Sequence, residues 1–249
     1  MSQKCAFVTG AGSGIGRATA LRLATQGYRV YAVGRSVASV EETAAMTEWD
    51  RIVPIGLDVL ETSDFANVVG DITDLHALVL NAGICRQAQL DDGDATEVWH
   101  QVIQTNLTGA WNTVSALQSR LVSGAKIVTV SSGLGKLGRA GYTAYAATKH
   151  GLIGMVKCLA LELAPRAITV NAVCPGWVDT AMAHADLERS ATTHHQSVHA
   201  ERAAAENKIP LGRFVQPEEV ARLISWLLSD DAGAITGQSY NISCGEFTA

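Results

Sequence analysis

Apolar residues fall along this chain in short runs, separated by stretches with helical spacing. Seven runs read as strands: residues 5–9, 29–33, 52–57, 77–80, 126–131, 169–173 and 238–242. Most lack strict alternation, the pattern of strands covered on both faces of a parallel sheet. After the first run, Ile15, Ala18, Leu21, Arg22, Ala24 and Thr25 keep helical spacing. This βαβ rhythm predicts one α/β domain over residues 1–249, with a doubly wound parallel sheet of about seven strands and helices on both faces. Residues 181–208 break the rhythm: they are polar, hold four of the seven histidines and contain no strand. Such an insertion is expected to be a lid over the site, spanning about 181–212, with few apolar anchors and mobile until ligands order it. A further helix is expected after Gln216, with Pro217 in its first turn.

Composition changes this picture little but excludes several roles. The 249 residues are 47% hydrophobic and 17% charged, as in globular proteins. Lys and Arg number 19 against 24 Asp and Glu, a formal net charge of -5 with no basic tract, so nucleic acid is not an expected partner. The longest apolar stretches are strand-length or broken by charge, as 152–164 is by Lys157 and Glu162, and no membrane span is expected. The first strand begins almost at once, leaving no room for a signal peptide. Cys5, Cys85, Cys158, Cys174 and Cys244 are scattered without a CxxC, which suits reduced thiols in a cytoplasmic protein.

Three constellations carry chemistry. The first strand runs into Thr9-Gly10-Ala11-Gly12-Ser13-Gly14-Ile15-Gly16 and then a helix. Glycines allow a tight turn and close backbone approach to a pyrophosphate, which the helix N-terminus attracts. The strand–turn–helix context makes this a dinucleotide site. Second, the end of the second strand reads Gly34-Arg35-Ser36, without the carboxylate that would bind the 2′-hydroxyl of NAD. Arg35 offers a forked cation to a 2′-phosphate, so NADP(H) is preferred over NAD(H), unless the arginine is only a solvated surface charge. Third, Tyr145 and Lys149 are four residues apart on a helical stretch and therefore share a face. A neighbouring ammonium is expected to lower the tyrosine pKa toward neutrality. Ser131-Ser132, closing the fifth strand, adds a hydroxyl for a substrate oxygen.

In this order and spacing the chain resembles the short-chain dehydrogenase/reductase family over essentially its whole length. The matching pieces are Thr9 to Gly16, Asp58-Val59, Asn81-Ala82-Gly83, Asn106, Ser132, Tyr145, Lys149 and the run from Pro175 to Thr180. The resemblance implies a Rossmann-type sheet, usually in a homotetramer. It implies that Ser132 orients the substrate oxygen, Tyr145 transfers its proton, Lys149 holds the nicotinamide ribose, and Asn106 positions a water that relays protons. The cofactor would lie along Gly10, Gly12, Ser13, Gly14, Ile15 and Gly16, Arg35, Asp58 and Val59, Asn81, Ala82 and Gly83. Tyr145, Lys149, Pro175, Gly176, Val178 and Thr180 would complete that site, the last two at the carboxamide. Where the family usually has Asn-Asn-Ala-Gly, this chain has Leu80 before Asn81. The segments 135–138, 149–151, 168–183 and 209–220 are most similar to ketoreductases of aromatic polyketide synthesis and to 3-oxoacyl reductases.

The resemblance therefore implies an oxidoreductase interconverting a ketone and a secondary alcohol, with a small molecule or acyl thioester as substrate. The alternatives are an NAD-dependent catabolic dehydrogenase of a cyclic alcohol, diol or hydroxyacyl thioester, and a non-catalytic nucleotide sensor, against which the intact Ser132, Tyr145 and Lys149 argue. His184, His194, His195 and His199 lack the spacing of a metal site, and no metal is expected. Trp99, Trp111 and Trp226 read as helix-packing residues, and Trp177 as a candidate wall of the substrate pocket.

Overall fold

The computed structural model describes residues 3–48, 50–70 and 72–248. Among these, seven strands form one sheet in the order 3-2-1-4-5-6-7: β1 (Cys5–Thr9), β2 (Arg29–Gly34), β3 (Ile52–Gly56), β4 (Leu75–Leu80), β5 (Leu121–Val130), β6 (Thr169–Pro175) and β7 (Ser239–Ile242). Every pairing is parallel. The strands follow the expected runs, with β5 starting earlier at Leu121 and ending at Val130. Ser131 lies beyond its end, though its N–H still donates to the Val173 carbonyl at 2.8 Å.

The described residues form nine α-helices around the sheet: α1 (Gly14–Thr25), α2 (Val37–Ala45), α3 (Thr62–Val69), α4 (Ala95–Ile103), α5 (Gly109–Leu117), α6 (Thr143–Leu163), α7 (Ala181–His194), α8 (Val198–Glu206) and α9 (Pro217–Leu227). Alternate strand residues feed two cores, because successive side chains point to opposite faces. Ala6, Val8, Val79 and Val128 pack with Leu23 of α1 and Ile224 and Leu227 of α9. Phe7, Leu78 and Ile127 pack with Val114 and Leu117 of α5 and Leu152 and Val156 of α6. β6 is buried along its whole length, and its one side-chain amide, Asn171, is satisfied there by donating to the Ile235 carbonyl at 2.8 Å and accepting from the Gln238 N–H at 3.1 Å. Pro217 opens α9 as expected, and the Gln216 N–H is satisfied by Glu219 Oε2 at 2.8 Å.

The 181–208 segment is helical and better anchored than its polarity suggests. Ala183, Asp186, Leu187 and Ala191 of α7 are buried, and Leu187 joins Ile209 and Phe214 in a small core of its own. α8 buries no residue and rides on α7 through charged contacts such as His194 with Glu201. Among the described residues no helix is long and apolar enough to cross a membrane.

Ile224, fully enclosed where α9 meets the sheet, tests this packing. Ile224→Ala is expected to cost about 2–5 kcal/mol of stability, read as a lower urea midpoint at unchanged m-value.

Candidate functional site

The strand order reverses between β1 and β4, and the crevice beyond the carboxyl ends of such strands is where α/β sheets bind ligands. Here the two strands are joined by polar bonds. The Thr9 hydroxyl donates to the Val79 carbonyl at 3.3 Å and accepts from the Asn81 and Ala82 N–H groups at 2.9 and 3.0 Å. The Asn81 amide returns two bonds, to the Thr9 and Gly10 carbonyls at 3.0 and 3.2 Å. Gly10 has φ +65°, and a Cβ on Gly16 would lie 2.1 Å from the Gly10 carbonyl oxygen. No residue but glycine fits either place. Arg17 braces the turn from outside, donating to the Gly12 carbonyl at 2.6 Å and to Glu42 at 2.8 Å. Ser13, the residue before α1, makes no side-chain cap, so the helix N-terminus keeps its backbone donors for an anion.

At the end of β2, Arg35 is exposed and borders a shallow cavity with Leu60, Ile84 and Arg86. At the end of β3, Asp58 accepts from the Leu60 N–H at 3.0 Å, while the Val59 side chain is buried in the core and its carbonyl accepts from Asn112 at 3.1 Å. Asn106 sits in a π-helical turn, Gln104–Thr108, between α4 and α5. Its amide donates to the Ile84 carbonyl at 2.9 Å and to Thr148 Oγ1 at 3.3 Å, and its Oδ1 accepts from the Ile84 N–H at 2.8 Å. Wide turns of this kind often mark functional positions.

Ser132, Tyr145 and Lys149 meet at the floor of a cavity of about 230 Å³. Ser132 is fixed by accepting from the Leu134 N–H at 3.1 Å, and Ser131 by donating to the Lys149 carbonyl at 2.9 Å. Lys149 is buried, donates to the Val130 carbonyl at 2.9 Å, and lies 5.3 Å from the centre of the Tyr145 ring. Burial brings its ammonium down to about 8. The phenol departs from the sequence expectation. Burial pushes Tyr145 above its ordinary value, the nearby Cys85 and Asp186 add to this, and the hydrogen bond with Ser132 opposes it without winning. Desolvation of the anion outweighs the Ser132 hydrogen bond, which favours a neutral phenol at Tyr145. The same cavity is lined by Ile15, Asn81, Gly83, Pro175, Gly176, Val178 and Thr180, which brings the glycine turn together with Ser132, Tyr145 and Lys149.

Other wall residues, and Gln87 which bonds to two of them, gave no signal in the sequence. Gln87, Tyr142 and Asp186 form a hydrogen-bonded cluster, and Cys85, Arg139, Glu246 and Phe247 complete the rim. Trp177 lines the cavity and stacks on Phe214 at 5.2 Å, Trp226 of α9 packs edge-on against Tyr240 at 6.3 Å, and Trp99 and Trp111 are more exposed than packing residues should be. Two of the four histidines in residues 181–208 face acids: His184 Nε2 with Asp179 Oδ1 at 2.7 Å, and His194 Nδ1 with Glu201 Oε1 at 2.9 Å.

A family model described as enoyl-(acyl carrier protein) reductase matches residues 10–246. The chain belongs to the short-chain dehydrogenase/reductase family. Its relatives in that family include a 3-oxoacyl-(acyl-carrier-protein) reductase of Thermotoga maritima, 38% identical over 97% of each chain. An acetoacetyl-CoA reductase of Rhizobium meliloti is 38% identical over 99% of each. Among solved structures, a single-substitution variant of actinorhodin polyketide ketoreductase with NADPH is 35% identical with a TM-score of 0.89, covering 98% of this chain and 97% of that one. These agree with an oxidoreductase fold assembled around a strand–turn–helix cradle.

In this short-chain dehydrogenase/reductase, Asp179 ties the segment after β6 to α7 and α8. It accepts from Arg202 at 3.2 and 2.9 Å as well as from His184, and these hydrogen bonds, Arg202 first, bring its carboxyl from 3.8 down to about 2. A carboxyl lowered on folding contributes stability above its ordinary value, and loses it as pH falls through the folded one. Asp179→Asn is therefore expected to lower Tm at pH 7 and to flatten the fall in Tm between about pH 4 and 2, checked by calorimetry across that range.

Proposed function

We propose that this chain is an NADPH-dependent ketoreductase, converting the ketone of a small substrate or acyl thioester to a secondary alcohol with Tyr145 as proton donor. The observation that carries this reading is the meeting of Ser132, Tyr145 and Lys149 in one largely apolar cavity that Ile15 of the glycine turn also lines. A protonated phenol is the acid that carbonyl reduction requires. The relatives support the direction, being named as reductases of 3-oxoacyl and acetoacetyl thioesters.

The residues present fit a dinucleotide. A turn with Gly10 and Gly14 at positive φ, α1 packed closely on it at Gly16, an uncapped helix N-terminus and an exposed arginine where the β2 end carries no carboxylate match its pyrophosphate and 2′-phosphate. We assign Gly10, Gly12, Ser13, Gly14, Ile15 and Gly16 to the pyrophosphate, Arg35 to the 2′-phosphate, and Asp58 and Val59 to the adenine. Asn81, Ala82 and Gly83 support the middle, and Pro175, Gly176, Val178 and Thr180 the carboxamide. When bound, the reduced nicotinamide supplies the hydride for the carbonyl carbon. Ser132 orients the carbonyl oxygen, and Tyr145 donates its proton as charge develops there. Lys149, buried and bonded to the Val130 carbonyl, holds the ribose and stabilises the phenolate left behind. Asn106 clamps Ile84 to Thr148 and keeps the wide turn open, where a water relaying protons from Lys149 would sit. Residues 181–212 act as the lid. Family membership supports a cytoplasmic homotetramer.

Tyr145→Phe is expected to lower kcat by about 10²–10⁴ while NADPH affinity, followed by nucleotide fluorescence, stays near wild type. Equal turnover in the two proteins would refute the assignment. Arg35→Ala is expected to weaken NADPH by about tenfold with little effect on NADH, since a charge-assisted bond to phosphate contributes roughly 1.5–3 kcal/mol before solvent screening. Parallel titrations with both nucleotides provide the check.

A further inference from the structure

The geometry points to Asp186 as a residue that selects substrate: this lid carboxylate excludes ketones that carry a free carboxylate and admits their neutral ester or thioester counterparts. The inference rests on the ketoreductase reading above and specifies the substrate class of that same cavity.

Asp186 lies on α7, its side chain only 9% exposed, and lines the cavity that Ser132 and Tyr145 close. Three donors converge on it. The Tyr142 hydroxyl donates to Oδ2, and Gln87 Nε2 and Arg189 Nη2 both donate to Oδ1, the former at 2.7 Å. Gln87 Nε2 also donates to the Tyr142 oxygen at 2.6 Å. The donors of this cluster are thus already turned toward Asp186. A second carboxylate arriving there meets oxygen lone pairs in place of an N–H or O–H aimed at it. The ion pair with Arg189 is also lopsided. The arginine side chain is 45% exposed, so its charge is largely solvated while the carboxylate faces the cavity.

The two cations on the wall are engaged elsewhere. Arg139 pairs with Glu246 at 3.8 Å and lies over the rings of Tyr142 and Trp177 at 5.6 and 5.8 Å. Glu246 in turn accepts from the Trp177 N–H at 3.1 Å. Lys149 is held on the Val130 carbonyl at the floor. Cys85, pushed up to about 12 by burial, contributes a neutral thiol. A ketone within reach of Tyr145 shares a space of about 230 Å³ with Asp186, where like charges repel far more than in water. A neutral acyl chain instead meets Leu134, Leu137, Met182 and Phe247 on the apolar side of the same cavity.

The test compares ethyl 3-oxobutanoate with the free 3-oxobutanoate anion, using the full chain and NADPH. The wild type is expected to favour the ester in kcat/KM by roughly tenfold to a hundredfold. Asp186→Asn should bring that ratio about tenfold closer to unity by raising the value for the acid. Arg189→Gln, which removes an exposed cation and leaves the cavity wall intact, should move the ratio the other way. If Asp186→Asn does not fold, the Arg189→Gln ratio decides alone. Equal efficiency of the wild type with both compounds overturns the inference, as does a ratio that neither variant moves. No turnover of either compound, or of any neutral ketone, overturns the reductase reading and this inference with it.

Discussion

The hydroxyl of Thr9 occupies the position on which the rest of the site depends. The chain leaves β1 and β4 toward opposite sides of the sheet where the strand order reverses, and without a tie beyond their last paired residues, Val8 and Val79, the crevice has no defined width. One side chain takes the backbone N–H groups of Asn81 and Ala82 from the far strand, and Asn81 answers with its amide on the near one. Backbone donors that would be orphaned at two strand ends are satisfied within the protein. The glycine turn can then be tight, α1 can start within contact of Gly10, and the cavity floor can be set against a fixed edge.

Much of this is legible in the sequence because it is local. Seven apolar runs mark the strands, and the turn from Thr9 to Gly16 and the spacing of Tyr145 and Lys149 need no long-range information. The Gln87, Tyr142 and Asp186 cluster is not legible. Tyr142 and Asp186 lie 55 and 99 residues from Gln87, on a helix start and a lid, and each alone is an ordinary polar residue. The anchoring of α7 is hidden for a related reason: its four buried positions include an aspartate, which makes the segment read as polar. The direction of the Tyr145 shift escapes the sequence because spacing reports a neighbour's charge but not how much water has been removed around the phenol.

Two buried polar centres coexist here, and they are managed differently. Lys149 is desolvated with a backbone carbonyl as its partner, which is costly to its charge and lowers its pKa. Asp186 is desolvated but given donors from a loop, the start of α6 and its own helix. The first arrangement leaves a cation ready to accept a new partner. The second leaves an anion already satisfied, which gives the lid a specific place to rest rather than a merely greasy one.

The wide turn at Gln104–Thr108 does more than present Asn106. It introduces a phase slip into what is otherwise one rod from α4 to α5. Before the slip, Val98 and Val102 face Ala144 at the start of α6; after it, Ala110, Val114 and Leu117 face the sheet. A single helical period fitted across residues 95–117 averages two surfaces that do not share an axis of amphipathicity. The two halves are thereby mechanically decoupled. Substitutions in α4, whose Val98 and Val102 pack with Ala144 and Tyr145, can accumulate without rotating the side chains by which α5 grips the sheet, so the scaffold can stay constant while the support of Tyr145 changes.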